Sequence, residues 1–239
     1  MTTTRRSFLK AAAATGVLAG VPGIARGQAN EVKIGVVAIR AGIAAPVGAA
    51  GLRGTEWWAE RVNKAGGILG RQVKLVVEEE STPKDTVERY RKLVLQDKVE
   101  VVLGGISTGV TLALAPVAED LQTPWLSWDG TTQKGVEETM PNPKWAFRSV
   151  DNEVEAIVAG MLTPKYFGKN IKTVAGIGND YSYGHDCWQS YQAVLKKYIP
   201  DVKFVLELFP KLGVTDFTSH IAAIQQSKAD LLMCSFWSG

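Results

Sequence analysis

Ser107 lies in Gly105-Ile-Ser107-Thr-Gly109, between an apolar β-branched run and a segment of helical period. That G-x-S-x-G spacing puts a serine at a strand-to-helix turn, the position of a hydrolase nucleophile. A serine hydrolase also needs an acid and a histidine in loops at the same end of the strands. Of the two histidines, His185 falls in such a loop and His220 within a predicted helix, and no acid–histidine order follows. The alternative for Ser107 is a turn of small residues that starts the next helix.

A second candidate is Gly48-Ala-Ala-Gly51-Leu-Arg-Gly54, with Glu78-Glu79-Glu80 ending the following apolar run. An acid there would suit a ribose hydroxyl in a dinucleotide fold. The glycines, however, are spaced G-x-x-G-x-x-G, and Gly48 comes ten residues after Ala38. A pyrophosphate site needs a tight turn running straight into a helix N-terminus. The acidic run is therefore expected to be a solvated strand end. There is no Walker motif, zincin motif or Cys/His cluster, so no cofactor and no metal ligands are expected.

A third chemistry uses more of the residues. Ser107, Thr108 and Gly109 put two hydroxyls and backbone N–H groups at a helix start, where the dipole favours a carboxylate. Asp129-Gly130-Thr131-Thr132 adds polar groups in the next loop. Tyr181, Tyr183 and Trp237 fall in predicted loops of the second half, and Trp125 and Trp128 flank the fourth strand. Any one tryptophan is more often core than contact. Together, aromatic faces opposite hydroxyls make an amphipathic clamp for a small molecule.

These loops need strands and helices to hold them. Strands are predicted at 32–38, 73–77, 101–103, 125–128, 145–149, 171–177, 202–208 and 230–236. Helices follow the Gly-rich loop 42–54 and lie between most strands. Thr82-Pro83-Lys84-Asp85 reads as a cap with proline in the first turn. Val87, Tyr90 and Val94 share that helix's buried face. Residues 129–144 read as a loop. Asp151 or Asn152 is expected to cap a helix carrying Val154, Ile157, Val158, Met161 and Leu162. Strands separated by helices of this length imply α/β lobes with parallel sheets, whose ligands sit beyond the strand carboxyl ends.

The 239 residues carry 27 basic and 24 acidic side chains. Four of the basic ones (Arg5, Arg6, Lys10 and Arg26) and none of the acidic ones precede Asn30, leaving −1 on the rest. The basic balance therefore belongs to the leader and gives no reason to expect a nucleic-acid partner. Arg5-Arg6-Ser-Phe-Leu-Lys10, an apolar stretch over 11–24 and a small-residue end read as a twin-arginine signal peptide at 1–29. At ~1.5 Å per residue that apolar stretch is too short for a ~30 Å hydrocarbon core. An oxidising destination favours a disulfide between Cys187 and Cys234, whereas folding before export favours two thiols. The chain ends just after an apolar strand with no covering helix, and is expected to be truncated.

Seven stretches resemble the periplasmic substrate-binding proteins of branched-chain amino acid-type ABC transporters, the leucine-isoleucine-valine-binding protein family. They are Val32-Lys-Ile-Gly-Val, Val62-Asn-Lys-Ala-Gly-Gly-Ile-Leu-Gly70, Val101-Val-Leu-Gly-Gly-Ile-Ser-Thr, Ala146-Phe-Arg-Ser, Asp180-Tyr-Ser-Tyr-Gly184, Thr215-Asp-Phe-Thr218 and Ala229-Asp-Leu-Leu-Met. The resemblance implies a type I periplasmic binding protein with two Rossmann-like lobes, over 30–147 and 148–239, the second incomplete. It implies that 147–150 is the first crossover, Ser107 meets a ligand carboxylate, and Gly130 and Thr131 add polar contacts. Tyr183 and Trp237 would close from the second lobe. Two departures bear on the ligand: Val47 replaces an aromatic residue, and Trp128-Asp129 replaces small residues. Trp128 either shapes the pocket for an aromatic acid or amide, or packs between strands. The implied partners are a small-molecule ligand, a membrane permease and the twin-arginine translocase. The competing readings are an exported hydrolase using Ser107 and a sensory ligand-binding domain.

Overall fold

The computed structural model describes residues 30–129, 131–149, 153–168 and 170–236. Eight strands alternate with seven helices: β1 Glu31–Ala38, α1 Ala45–Lys64, β2 Gln72–Glu79, α2 Pro83–Leu95, β3 Val101–Gly104, α3 Thr108–Leu121, β4 Trp125–Ser127, α4 Gln133–Thr139, β5 Ala146–Arg148, α5 Glu153–Tyr166, β6 Thr173–Gly178, α6 Ser182–Tyr198, β7 Lys203–Leu208, α7 Thr218–Ser227 and β8 Leu231–Ser235. The strands form two parallel sheets, ordered β2-β1-β3-β4-β5 and β7-β6-β8. Residues from Glu31 onward belong to one compact unit.

β1 and β6 are inner strands, and both read as near-continuous apolar runs because helices cover the two faces of a parallel sheet. The first sheet's core joins Val37, Tyr90, Leu93, Val102, Leu114 and Trp125, and the second's joins Val174, Trp188, Tyr191 and Leu195. Thr82 caps α2 by accepting from the Asp85 N–H at 3.2 Å, with Pro83 in the first turn as expected. Trp125 is core, its indole N–H donating to the Gly104 carbonyl at 3.0 Å.

The Asn-x-x-Gly-Gly segment has a local physical cause. Asn63 bonds both backbone groups of Val73, donating to its carbonyl at 2.8 Å and accepting from its N–H at 2.6 Å. Gly67 has φ +81°, and a Cβ there would come within 2.1 Å of the Arg71 carbonyl oxygen. The pair turns the end of α1 directly into β2.

Three expectations change. The glycines at 48, 51 and 54 lie inside α1, which starts at Ala45. Gly48 is small because a Cβ would strike the Ile39 backbone at 1.9 Å, and Gly51 because the Trp128 ring packs on it. Residues 133–139, read as loop, form α4 with Thr132 as its cap. Ala146–Arg148 pairs with β4 as the fifth strand of the first sheet, so 147 and 148, expected in the first crossover, belong to that sheet. Val154, Val158, Met161 and Leu162 on α5 are 37% to 47% exposed, beside a groove of about 440 Å³ between α5, α6 and β8. The predicted cap at Asp151 or Asn152 and the leader 1–29 lie outside the described residues. Among the described residues no helix is long and apolar enough to cross a membrane.

Asn63→Ala leaves the Val73 N–H and carbonyl without partners in a half-buried turn. It is expected to cost about 1–3 kcal/mol, measured as a lower urea midpoint; an unchanged midpoint would contradict the role given to Asn63.

Candidate functional site

The turn from β3 into α3 depends on two glycines. Gly104 has φ +106° and Gly105 φ +93°, and a Cβ on Gly104 would sit 1.9 Å from the Val37 carbonyl oxygen. The chain crosses tightly over the end of β1, with the Gly105 N–H donating to the Val37 carbonyl at 3.1 Å. Ser107 then precedes α3 with an ordinary extended backbone (φ −74°, ψ 130°), and its side chain does not cap the helix. A helix cannot satisfy its own first amides, so those of Thr108, Gly109 and Val110 need other partners.

The expectation of free N–H groups at Ser107 is overturned. Glu80 accepts from the N–H groups of Ile106 and Ser107, one on each carboxylate oxygen, both at 2.9 Å. Nor is the acidic run a uniformly solvated strand end. Glu79 pairs with Arg40 and Glu78 with Lys92, while Glu80 is only 2% exposed. Its own N–H continues the ladder to the Ala38 carbonyl at 2.9 Å, which carries the side chain under the β3–α3 turn. Burial lifts its carboxyl to about 7, against the pull of the two N–H bonds and with help from nearby Asp129 and Glu79.

The β4–α4 loop lies against this turn through the Asp129 N–H, which donates to the Gly105 carbonyl at 3.5 Å. The end of β5 holds the loop from the other side. Arg148 donates to the Thr131 carbonyl at 2.6 Å, and the Ser149 hydroxyl lies 2.9 Å from the carbonyls of Ser127 and Trp128. Thr132 accepts from the Gly135 N–H and donates to Asp186 on α6 at 2.6 Å, joining the two sheets' helices. Lys134 reinforces the joint, with its ammonium 3.5 Å from Asp186 and 2.8 Å from the Gln189 side-chain carbonyl. Glu153 adds to it, accepting from the Lys134 N–H at 3.3 Å and from the Ser190 hydroxyl.

On the second sheet α6 begins at Ser182, so Tyr183 is helical and not in a loop. It is 6% exposed, pairs with Tyr181 at 6.1 Å between ring centres, and lines the α5–α6–β8 groove. Burial, then the neighbouring Cys187, pushes its phenol well above the usual range; Asp129 acts on it too. Asp129 thus lies within electrostatic reach of Glu80 on one side and Tyr183 on the other.

Among the described residues four hydroxyls are buried without a partner: those of Thr108 and Thr111 in the first turn of α3, Thr131 in the β4–α4 loop and Ser235 ending β8. An unpaired buried polar group costs about 1–3 kcal/mol, so each is a candidate to pair with another molecule. Of the residues picked from sequence, Thr108 and Thr131 carry such hydroxyls, and Ser107 stands half-buried beside them. Trp128 is half-buried with its ring on Gly51, so it packs on α1 at the rim of the same loop. Gly130 and Trp237 lie outside the described residues.

Sequence reasoning missed Thr111, Asp186 and Ser235, and it weighed Glu80 only within the acidic run, as a solvated strand end. Glu80 had a usable signal, being the acid just past a strand end, but its burial depends on the fold. His185 bonds Asp180 at 3.0 Å and stacks on Phe209, with no bond to Ser107. Cys187 and Cys234 are both free thiols. Among the described residues no group of histidine, cysteine or acidic side chains could hold a metal ion.

The family described as periplasmic binding protein matches residues 31–239. An amino acid binding protein of Pseudomonas aeruginosa is 28% identical over 216 residues, covering 90% of this chain and 56% of that protein. The chain therefore spans about half the length of that relative. A solute-binding protein from R. palustris in complex with 4-hydroxybenzoate superimposes with a TM-score of 0.73 at 23% identity, over 86% of this chain and 54% of its own. A branched-chain amino acid transporter substrate-binding protein from Streptococcus pneumoniae, in complex with isoleucine, gives 0.72 at 23% identity, over 85% and 56%. These likenesses give the type I periplasmic binding protein fold.

The Thr132–Asp186 bond is buried and joins α4 to α6. A double-mutant cycle of Thr132→Val and Asp186→Ala, read by urea denaturation, is expected to show a coupling of roughly 0.5–3 kcal/mol. Simple additivity would mean the contact does not join them energetically.

Proposed function

The chain belongs to the periplasmic binding protein family, and on that premise we propose that it is the solute-binding component of an ABC importer. In this reading it captures a small amino acid, amide or aromatic acid between two lobes, 30–147 and 148–239. The observation that carries it is the set of buried, unpaired hydroxyls of Thr108, Thr131 and Ser235, in the segments that follow β3 and β4 and at the end of β8, where open α/β sheets bind ligands. Ser107, Thr108, Gly130, Thr131 and Trp128 would receive the ligand on the first lobe. Tyr183 and Trp237 would close over it from the second by a hinge motion.

The ligand class is supported from two sides. The relatives named above hold isoleucine or 4-hydroxybenzoate. Within this chain, the Trp128 ring at the rim and the Tyr181–Tyr183 pair offer flat apolar faces next to hydroxyls. The twin-arginine leader supports export by the twin-arginine translocase and a periplasmic site of action, with a membrane permease as the receiving partner. No catalytic step is assigned. A nucleophile elbow holds its serine on a strained turn, whereas Ser107 is unstrained and bonds neither histidine among the described residues.

A thermal-shift screen of the purified protein with amino acids, their amides and benzoates tests the proposal. A true ligand at a hundredfold excess over its Kd should stabilise by about 2.7 kcal/mol; no shift with any of them sinks it. With a ligand in hand, Thr108→Val should weaken binding by about 1–3 kcal/mol in titration calorimetry. Ser107→Ala should cost less, because the Thr108 hydroxyl is the buried one without a partner.

A further inference from the structure

The first sheet presents its own carboxylate where a ligand's would be expected. Glu80 fills the two amides that lead into α3, and the next residue, Thr108, is 1% exposed with an unpaired hydroxyl. The charged groups around Glu80 do not neutralise it. Glu79, on its own strand, pairs with Arg40, and Arg89 on α2 donates to the Glu79 carbonyl and the Ser81 hydroxyl, both at 2.8 Å. Asp129, from the β4–α4 loop, adds a second negative charge. Among the described residues no cationic side chain bonds Glu80. A ligand carboxylate at Thr108 would add a like charge beside a buried one, and two such carboxylates in one desolvated site do not both stay ionised.

We propose that Glu80 sets which ligand charge the site accepts: a carboxylate docks at Thr108 only together with a proton on Glu80, whereas an amide or other uncharged polar end docks without one. The proton comes from solvent and sits on a carboxylate oxygen of Glu80. Burial already holds that carboxyl near neutrality, so the uptake requires no extreme pH. The sign follows directly: below about 7 the proton is in place and acids bind at full strength, and above it each acid bound must bring one in. The inference rests on Thr108 being part of the ligand site, as proposed above.

Titration calorimetry with two acids (benzoate and isoleucine) and with benzamide, an amide that has no titrating group in this range, from pH 6 to 9 decides it. The expected result is an acid Kd that rises about tenfold per pH unit above 7, with close to one proton taken up at pH 8. The amide should show a flat Kd. Glu80→Gln should abolish the slope and the uptake, and bind the acid more tightly than wild type at pH 8. If only the amide binds, Glu80→Gln must admit the acids; continued exclusion overturns the proposal. So does wild-type acid binding that is flat from pH 6 to 9 with no proton taken up, a result that needs no variant. Binding with the expected slope that survives Thr108→Val unchanged would show that Glu80 acts at another subsite, and overturns it as stated. No binding by any probe at any pH fails the solute-binding reading itself, and the inference falls with it.

Discussion

A buried carboxylate on two backbone amides organises the carboxyl-terminal end of the first sheet. Glu80 reaches from the end of β2 under the turn that starts α3 and holds the N–H groups of Ile106 and Ser107. Two N–H donors make the ionised form tolerable, while burial and two neighbouring acids oppose it. The β3–α3 turn, the first turn of α3 and the position of Thr108 all follow from that contact. The glycines at 104 and 105 make it geometrically possible: no side chain fits where Gly104 crosses β1, and both residues hold a positive φ.

The other loops at this end are held by one another more than by their own sequences. Asp129 leans on Gly105, Arg148 and Ser149 at the end of β5 hold the carbonyls of 127, 128 and 131, and Thr132 reaches across to Asp186. Each bond joins residues far apart in the chain. The hydroxyls of Thr108 and Thr131 are left over once these bonds are made, which is why they stand out as unpaired.

Much of the fold was legible beforehand because its signals are local. Apolar runs bounded by glycine and proline located all eight strands to within a few residues, and Thr82 with Pro83 announced the start of α2. The misses were places where contact at a distance decides. Gly48 and Gly51 look like a flexible loop, yet they are helical glycines that make room for Ile39 and Trp128. The 133–139 segment carries too weak a pattern to announce α4, whose cap is tied to a residue 54 positions further on.

For the site the division is the same. Residue types and their order along the chain were enough to pick the strand-end loops that carry Ser107 and Thr131, because strand–loop–helix order places those loops at one end of a parallel sheet, whereas Tyr183 proved to lie in α6. Only the tertiary structure decided which of the polar groups are already paired. Glu80 reads as one of three like acids in sequence, and burial under a turn 26 residues away pushes its carboxyl above the usual carboxylate range. Desolvation depends on what packs around a group in space, and no local pattern carries that information.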